Sequence, residues 1–319
     1  MKKVIVFGGG TGLSCLLSGL KLFPVEVTTV IAVSDNGSST GILKEEYGIP
    51  AVGDVGKVLL SMANVDEDFV DLLSYRFHKE GTSLDNHPVR NILLTALIDL
   101  KGNLTEAAGY MSKLLNVRGA VLPLTEEKVD LVGKSDFSDE EFYGQVDVSR
   151  NVRYISSLSY DHDIRISPEI PDKIAESDLI IFSPGSLYTS ILPHLLANDI
   201  VEAIRTASAP IMYVCNLVTQ PGETDHYNVS DHLQILNRYL RQRKVDIVVS
   251  NNARIDEDII EKYLQTENKT LVESDRDNIL ALGTQIVEDS IFSIEEGKIR
   301  HNALKTAFLI FSYLMKTEY

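Results

Sequence analysis

Short runs of consecutive apolar residues alternate with stretches in which apolar residues recur every three or four positions. Residues 3–7 contain the run Val4, Ile5, Val6 and Phe7, and Leu13, Leu16, Leu17 and Leu20 follow at helical spacing. This predicts a strand over 3–7 and a helix over 12–21. Residues 26–33 (EVTTVIAV) are rich in β-branched side chains and predict a second strand, closed by a polar loop over 34–41. Residues 41–117 are mainly helical in pattern: Ile92, Leu93, Ala96, Leu97 and Leu100 share one face, as do Ala108, Met111, Leu114 and Leu115. Residues 118–165 change character. The segments 118–124, 128–133 and 141–148 look like short strands of a β-rich excursion, and the acidic run 136–141 looks like a solvated turn.

From residue 174 the alternation returns. Strands are predicted at 178–183, 210–215 and 245–251, and helices at 187–196, 229–241, 256–264 and 302–315. Strands of consecutive apolar residues separated by helices imply a parallel sheet covered on both faces. The expected fold is therefore α/β: a Rossmann-like, doubly wound, mainly parallel sheet in a single domain over 1–319. It carries a helical addition at 41–117 and a small β-rich excursion at 118–165.

Composition narrows the function classes. The chain has 319 residues, 44% of them hydrophobic, enough for a large core, and a formal net charge of −16. Such a charge argues against non-specific nucleic-acid binding and against an anionic membrane surface. It also means that any phosphate ligand needs local donors or cations to overcome the global field. Cys15 and Cys215 are the two cysteines; their spacing suits neither zinc nor a disulfide scaffold, and both read as buried core residues. The apolar run after Met1-Lys2-Lys3 is too short for a signal sequence, and no run of about 18 apolar residues predicts a membrane span. A cytoplasmic location is expected, and a homo-oligomer stays open.

The candidate chemistry lies in the loops. Gly8-Gly9-Gly10-Thr11-Gly12 sits between a strand and a helix, where backbone N–H groups and a helix N-terminus can receive a phosphate. The dinucleotide fingerprint is incomplete, since its third glycine position falls on Leu13, and no P-loop lysine follows. A tight packing turn is the other reading of the same glycines. In open parallel sheets ligands bind at the carboxyl ends of strands. The loops there are Gly8–Gly12, 34–41 with Asp35, Ser38 and Ser39, 184–190, 216–225, and Asn251-Asn252. Asp35 falls about where such folds place a ribose-binding acid. Gly185, Ser186, Thr189 and Ser190 make a second phosphate cradle or, alternatively, an ordinary N-cap. Asp35 and Asp54 could hold Mg²⁺ or cap turns. His87 is a lone loop histidine, and His226 and His232 flank Asp231, where Ser230 or Asp231 could cap a helix. No Ser-His-Asp pattern or nucleophile elbow is legible.

Taken together, GGGTGL at 8–13, GSLYTS at 185–190, YVCNLVTQPGETD at 213–225 and Ser230-Asp231-His232 resemble the gluconeogenesis factor family. That family is related to 2-phospho-L-lactate transferase of deazaflavin coenzyme biosynthesis. Three motifs depart from its pattern. Asp35-Asn36-Gly37-Ser38-Ser39 stands for Asp-Asp-Gly-Gly-Ser, Gly53-Asp54-Val55-Gly56-Lys57 for Gly-Asp-Ile-Arg-Asn, and His87-Pro88-Val89-Arg90-Asn91 for His-Ser-Phe-Gly-Asn. The resemblance implies a Rossmann-like core and a bacterial cytoplasmic protein needed for growth and cell shape on gluconeogenic carbon sources. It implies a UDP-sugar ligand, notably UDP-N-acetylglucosamine, with no required cofactor. It also implies a possible protein partner in carbon metabolism or cell-wall synthesis. The transferase relatives instead use Mg²⁺, which makes an Mg-dependent phosphoryl-group transferase the alternative, with Asp35 and Asp54 as its catalytic or metal residues. The implied ligand-binding set is the glycine loop with Asp35, Ser38, Ser39, His87, Asn91, Gly185, Ser186, Thr189, Asn216, Thr219 and Gln220. Tyr263 is expected to stack on a base or sugar and Arg300 to meet the diphosphate.

Overall fold

A computed structural model describes residues 1–135, 140–295 and 297–316. Its centre is a seven-stranded sheet. In chain order the strands are β1 (Lys2–Gly8), β2 (Val25–Ile31) and β3 (Ala120–Pro123), then β7 (Leu179–Phe182), β8 (Ile211–Val214), β9 (Ile247–Asn251) and β10 (Gln285–Asp289). Between β3 and β7 the chain forms a three-stranded antiparallel sheet of β4 (Leu131–Lys134), β5 (Glu141–Tyr143) and β6 (Ser157–Tyr160). A hairpin of β11 (Phe292–Glu295) and β12 (Lys298–His301) precedes the last helix.

The large sheet runs β10-β9-β8-β7-β1-β2-β3, and every pairing in it is parallel. Side chains alternate faces along each strand. Val4 and Val6 face a core completed by Leu13, Leu16, Leu17, Ala307 and Ile310. Ile5 and Phe7 face the opposite core with Ile191, Leu195, Ile200, Leu233 and Leu236. Both faces are thus covered, which is why β1 is apolar at every central position. A fully buried aliphatic side chain contributes about 1.5–3 kcal/mol relative to exposure. The chain steps outward from β1 to β2 and β3 on one side and from β7 to β10 on the other. The sheet therefore has its switch point between β1 and β7, where the loops leaving their carboxyl ends diverge.

The expected α/β sheet is present, and three local expectations change. Residues 120–123 belong to the edge of the large sheet, paired with β2, and not to the excursion. Residues 141–148 divide into β5 and a helix over Gly144–Asn151, because Gly144 takes a φ of +78° and turns the chain. The expected helix 187–196 opens with a π-turn over Leu187–Ile191 before its α-helical part, Leu192–Leu196. Of the acidic run 136–141, residues 136–139 lie outside the described residues. Among the described residues no helix is long and apolar enough to cross a membrane.

Candidate functional site

The loops after β1 and β7 meet over the switch point. The helix Gly10–Leu20 starts there with Gly9 as its N-cap and no side-chain cap. Two glycines are demanded by geometry. Gly10 has a φ of +66°, with Asp54 Oδ2 3.9 Å from where its Cβ would lie, and a Cβ on Gly12 would lie 2.3 Å from the Pro184 carbonyl oxygen. The glycine run therefore serves both candidate purposes: Gly12 lets the helix pack against the second loop, while Gly9 and Gly10 line an open cleft.

That cleft has a volume of about 270 Å³. It gathers Gly9, Gly10, Thr11 and Gly12 from the first loop, Gly185 and Ser186 from the second, and Asn216, Thr219 and Gln220 from the loop after β8. Arg300 closes it from β12. Asn216 grips the Gly185 peptide at both ends: its Oδ1 accepts from Gly185 N at 2.8 Å and its Nδ2 donates to Gly185 O at 2.8 Å. Thr219 Oγ1 accepts from Thr270 N at 3.0 Å. Gln220 Oε1 is buried on this wall with no partner among the described residues. Gly8 sits beneath, where a Cβ would meet the Ser183 hydroxyl.

The second cradle is already filled. Ser186 caps its turn, its Oγ accepting from Thr189 N at 3.0 Å and lying 2.5 Å from Thr189 Oγ1. Glu223 Oε1 accepts from Tyr188 N at 2.8 Å and from Ser186 Oγ at 2.7 Å. The protein's own carboxylate thus occupies the helix start that the sequence offers to a phosphate. Burial pushes the Glu223 carboxyl up from its ordinary range, and the donors around it offset part of that shift.

A second cluster backs onto the glycine loop. Asp54 opens the helix Gly53–Ser61, and its Oδ2 would lie 2.8 Å from a Cβ on Gly9. Asp35 lies against Gly53 and accepts from Gly37 N at 2.9 Å. Burial, and then the Asp54 charge, raise the Asp35 carboxyl above its usual range. His87 Nδ1 and Ser39 Oγ are 2.8 Å apart, and Asn91 Nδ2 donates to Ser39 Oγ at 3.2 Å. Lys57 Nζ is 2.9 Å from Asp54 Oδ1. Ser38 begins its helix at a φ of +40°, outside this cluster, beside Asn36 and Gly41.

Tyr263 is placed differently from expectation. Its ring is 6% exposed, within the core, and its OH accepts from Ile299 N at 2.6 Å. It fastens the strand next to Arg300 and does not face the cleft, because the helix Glu257–Glu267 turns this side chain inward. Cys15, expected in the core, is half-buried on the cleft wall, its Sγ 3.1 Å from His301 O. Lys269 and His301 also line the cleft. Burial drives the His301 imidazole down to about 4; the nearby Cys215 backbone offsets part of this, yet neither ring nitrogen completes a hydrogen bond. Cys15 was legible in principle, lying one helical turn after Thr11; Lys269 and His301 reach the cleft only through the tertiary fold. A larger depression of about 560 Å³, near β6 and Arg238, is reached by none of the rim loops.

These features define a doubly wound α/β protein with an open cleft at its switch point. The chain belongs to the 2-phospho-L-lactate transferase CofD family, whose model matches residues 4–292. It is 38% identical to the gluconeogenesis factor of Bacillus subtilis over 313 residues, covering 98% of each chain. With the gluconeogenesis factor of Halalkalibacterium halodurans it shares 36% over 307 residues, covering 96% of this chain and 94% of the relative. A crystal structure of a UPF0052 family protein from Bacillus halodurans superimposes with a TM-score of 0.91 at 37% identity, covering 97% of this chain and 99% of that one.

Proposed function

We propose that this chain is a UDP-sugar-binding regulatory protein, with UDP-N-acetylglucosamine as its type of ligand. It supports growth and cell morphogenesis on gluconeogenic carbon sources through a protein partner in carbon metabolism or cell-wall synthesis. The observation that carries the reading is the uncapped helix start at Gly9, which shares one cleft with Arg300 and Lys269. In a chain of net charge −16, an N-terminal helix end and Arg300 in one cleft, with Lys269 beside them paired to Glu267 at 2.5 Å, favour a diphosphate there. The gluconeogenesis-factor relatives, and Asn36 where a second aspartate would stand beside Asp35, support binding over turnover.

The family match favours a second reading, an Mg-dependent phosphoryl-group transferase. Its metal would rest on Asp35 and Asp54. Mg²⁺ prefers several oxygen ligands, whereas here Asp54 is already paired with Lys57 and the Asn36 carboxamide accepts from Val146 N at 3.3 Å. No three His, Cys, Asp or Glu side chains converge among the described residues. Asp35 and Asp54 would share such an ion only with oxygens from phosphate and water, and Asp54 would have to give up its pairing with Lys57.

The test is calorimetry and thermal unfolding with UDP-N-acetylglucosamine, UMP and the free sugar. At about 100 times Kd the full ligand is expected to stabilise the protein by roughly 2.7 kcal/mol, the fragments by less. Silence in both measurements at millimolar ligand removes the reading. Release of UDP or UMP beyond one equivalent, lost in EDTA, replaces it with the transferase.

A further inference from the structure

Arg90 opens the second residue of the helix Val89–Lys101 and is only 9% exposed. A guanidinium so deeply placed normally sits in a fork of acceptors. Here, among the described residues, Arg90 makes no side-chain hydrogen bond, and its Nε is sealed from solvent without a partner. Its stem lies across Gly56, where a Cβ would come within 3.1 Å of Arg90 Cδ. Gly56 is two residues beyond Asp54; burial and then the like charge of Arg76 lower the guanidinium from its ordinary value, and the Asp54 charge acts the other way. A further buried acceptor in the cluster, Asn91 Oδ1, also lacks a partner among the described residues.

The electrostatics set a problem that these residues answer. The Asp54 carboxylate stands against Gly9, the residue that caps the open helix start. An incoming phosphate would meet that negative charge at close range unless a cation lay beside it. Lys57 neutralises one carboxylate oxygen at 2.9 Å and is partly exposed, free to reach further. Arg90 brings a second positive charge whose hydrogen-bonding capacity is unspent. Gly56 beneath Arg90 makes the room for its stem.

We propose that Arg90, assisted by Lys57, is an anion-binding pair that receives a phosphate of the ligand beside Gly9 and Gly10. It supplies from side chains the positive charge that a divalent cation would otherwise bring. The pair rests on the nucleotide-sugar reading only for the identity of the ligand, since the buried, unpaired guanidinium calls for an anion of some kind.

The experiment measures the binding of UDP-N-acetylglucosamine and, separately, of inorganic pyrophosphate. The variants are wild type, Arg90→Leu, Arg90→Lys and the reciprocal Gly56→Arg/Arg90→Gly, each in EDTA and in Mg²⁺. Wild-type affinity is expected to be the same in both media. Arg90→Leu should lose at least tenfold for either probe, Arg90→Lys less, and the reciprocal variant should recover most of the loss. Circular dichroism checks that each variant folds, and recovery by the double variant separates charge from packing. If wild type binds pyrophosphate through Arg90 but ignores UDP-N-acetylglucosamine, the pair stands and the nucleotide-sugar reading falls. If the nucleotide sugar binds Arg90→Leu as tightly as wild type, or binds wild type only with Mg²⁺, the pair is overturned.

Discussion

The two helix starts at the switch point look alike in sequence and differ in what occupies them. Both follow an apolar strand, both contain glycine, and both offer small hydroxyl residues in the first turn. At the second, Glu223 and Ser186 take the free N–H groups of residues 188 and 189. At the first there is no side-chain cap, and the glycines face an open cleft. A helix N-terminus attracts an anion whether the protein or a ligand provides it. The built-in carboxylate marks the second start as structural and leaves the first for the ligand.

The comparison breaks most sharply at Gly10. Asparagine tolerates left-handed φ, so Gly10→Asn should fold while placing a side chain in the cleft. UDP-N-acetylglucosamine affinity should drop at least a hundredfold, about 2.7 kcal/mol, by calorimetry. Unchanged affinity would return the glycine run to a packing turn.

Acid gives the next effect. Burial pushes His194 and His301 down to about 4 from 6.5. Each folded value lies below its unfolded one, so the folded state binds fewer protons between them. Stability is then full above pH 6.5 and drains away as pH falls toward 4, by on the order of 3 kcal/mol per histidine. His194 lies between Ile191 O and Val30 O, away from the cleft, where its neutral ring donates to only one of the two, whereas His301 lines the cleft. Denaturant titrations at pH 7 and 5 should show the loss, and bound nucleotide sugar should change the His301 share alone. A flat profile across this window contradicts the assignment of both rings as neutral.

How much of this was readable beforehand depended on burial. Strands β1, β7, β8 and β9 are covered on both faces, so each announces itself as an apolar run. Strand β10 is a half-exposed edge with charged residues at its end and carries no such signature. Residues 144–148, expected to continue a strand over 141–148, instead start the helix Gly144–Asn151: Val146 and Val148 alternate as in a strand, while the turn that redirects the chain depends on Gly144. The rim loops were legible from their position after strands and their composition. Their division of labour was not, because Glu223 reaches Tyr188 across 35 residues of sequence, and Asp54 reaches Gly9 across 45. Tyr263 shows the same limit: an aromatic near the cleft in sequence terms is turned into the core by the face its helix presents.

Removing the internal anion sharpens the contrast from the other side. Glu223→Ala should leave buried donors at the second helix start unpaired, at a cost of about 1–3 kcal/mol in chemical denaturation. Millimolar sulfate or phosphate should restore part of that loss in the variant and act more weakly on wild type. No destabilisation would show that Glu223 is not the anion of that turn.

The smallest effects separate contact from support at the cleft's outer wall. Arg300→Ala removes a cation that lines the cleft, and about tenfold weaker nucleotide-sugar binding is expected, roughly 1.4 kcal/mol. Global stability should hardly change, because Arg300 is exposed. Tyr263→Phe removes only the hydroxyl that accepts from Ile299 N, a hydrogen bond contributing about 0.5–1.5 kcal/mol to stability. Its effect on affinity should be smaller than that of Arg300→Ala, and should arise through a loosened β12. Paired calorimetry and denaturation of the two variants decide the matter. If Tyr263→Phe weakens binding as much as Arg300→Ala while leaving stability intact, the tyrosine touches the ligand after all, and the cleft opens further toward the helix Glu257–Glu267 than the packing of Tyr263 allows.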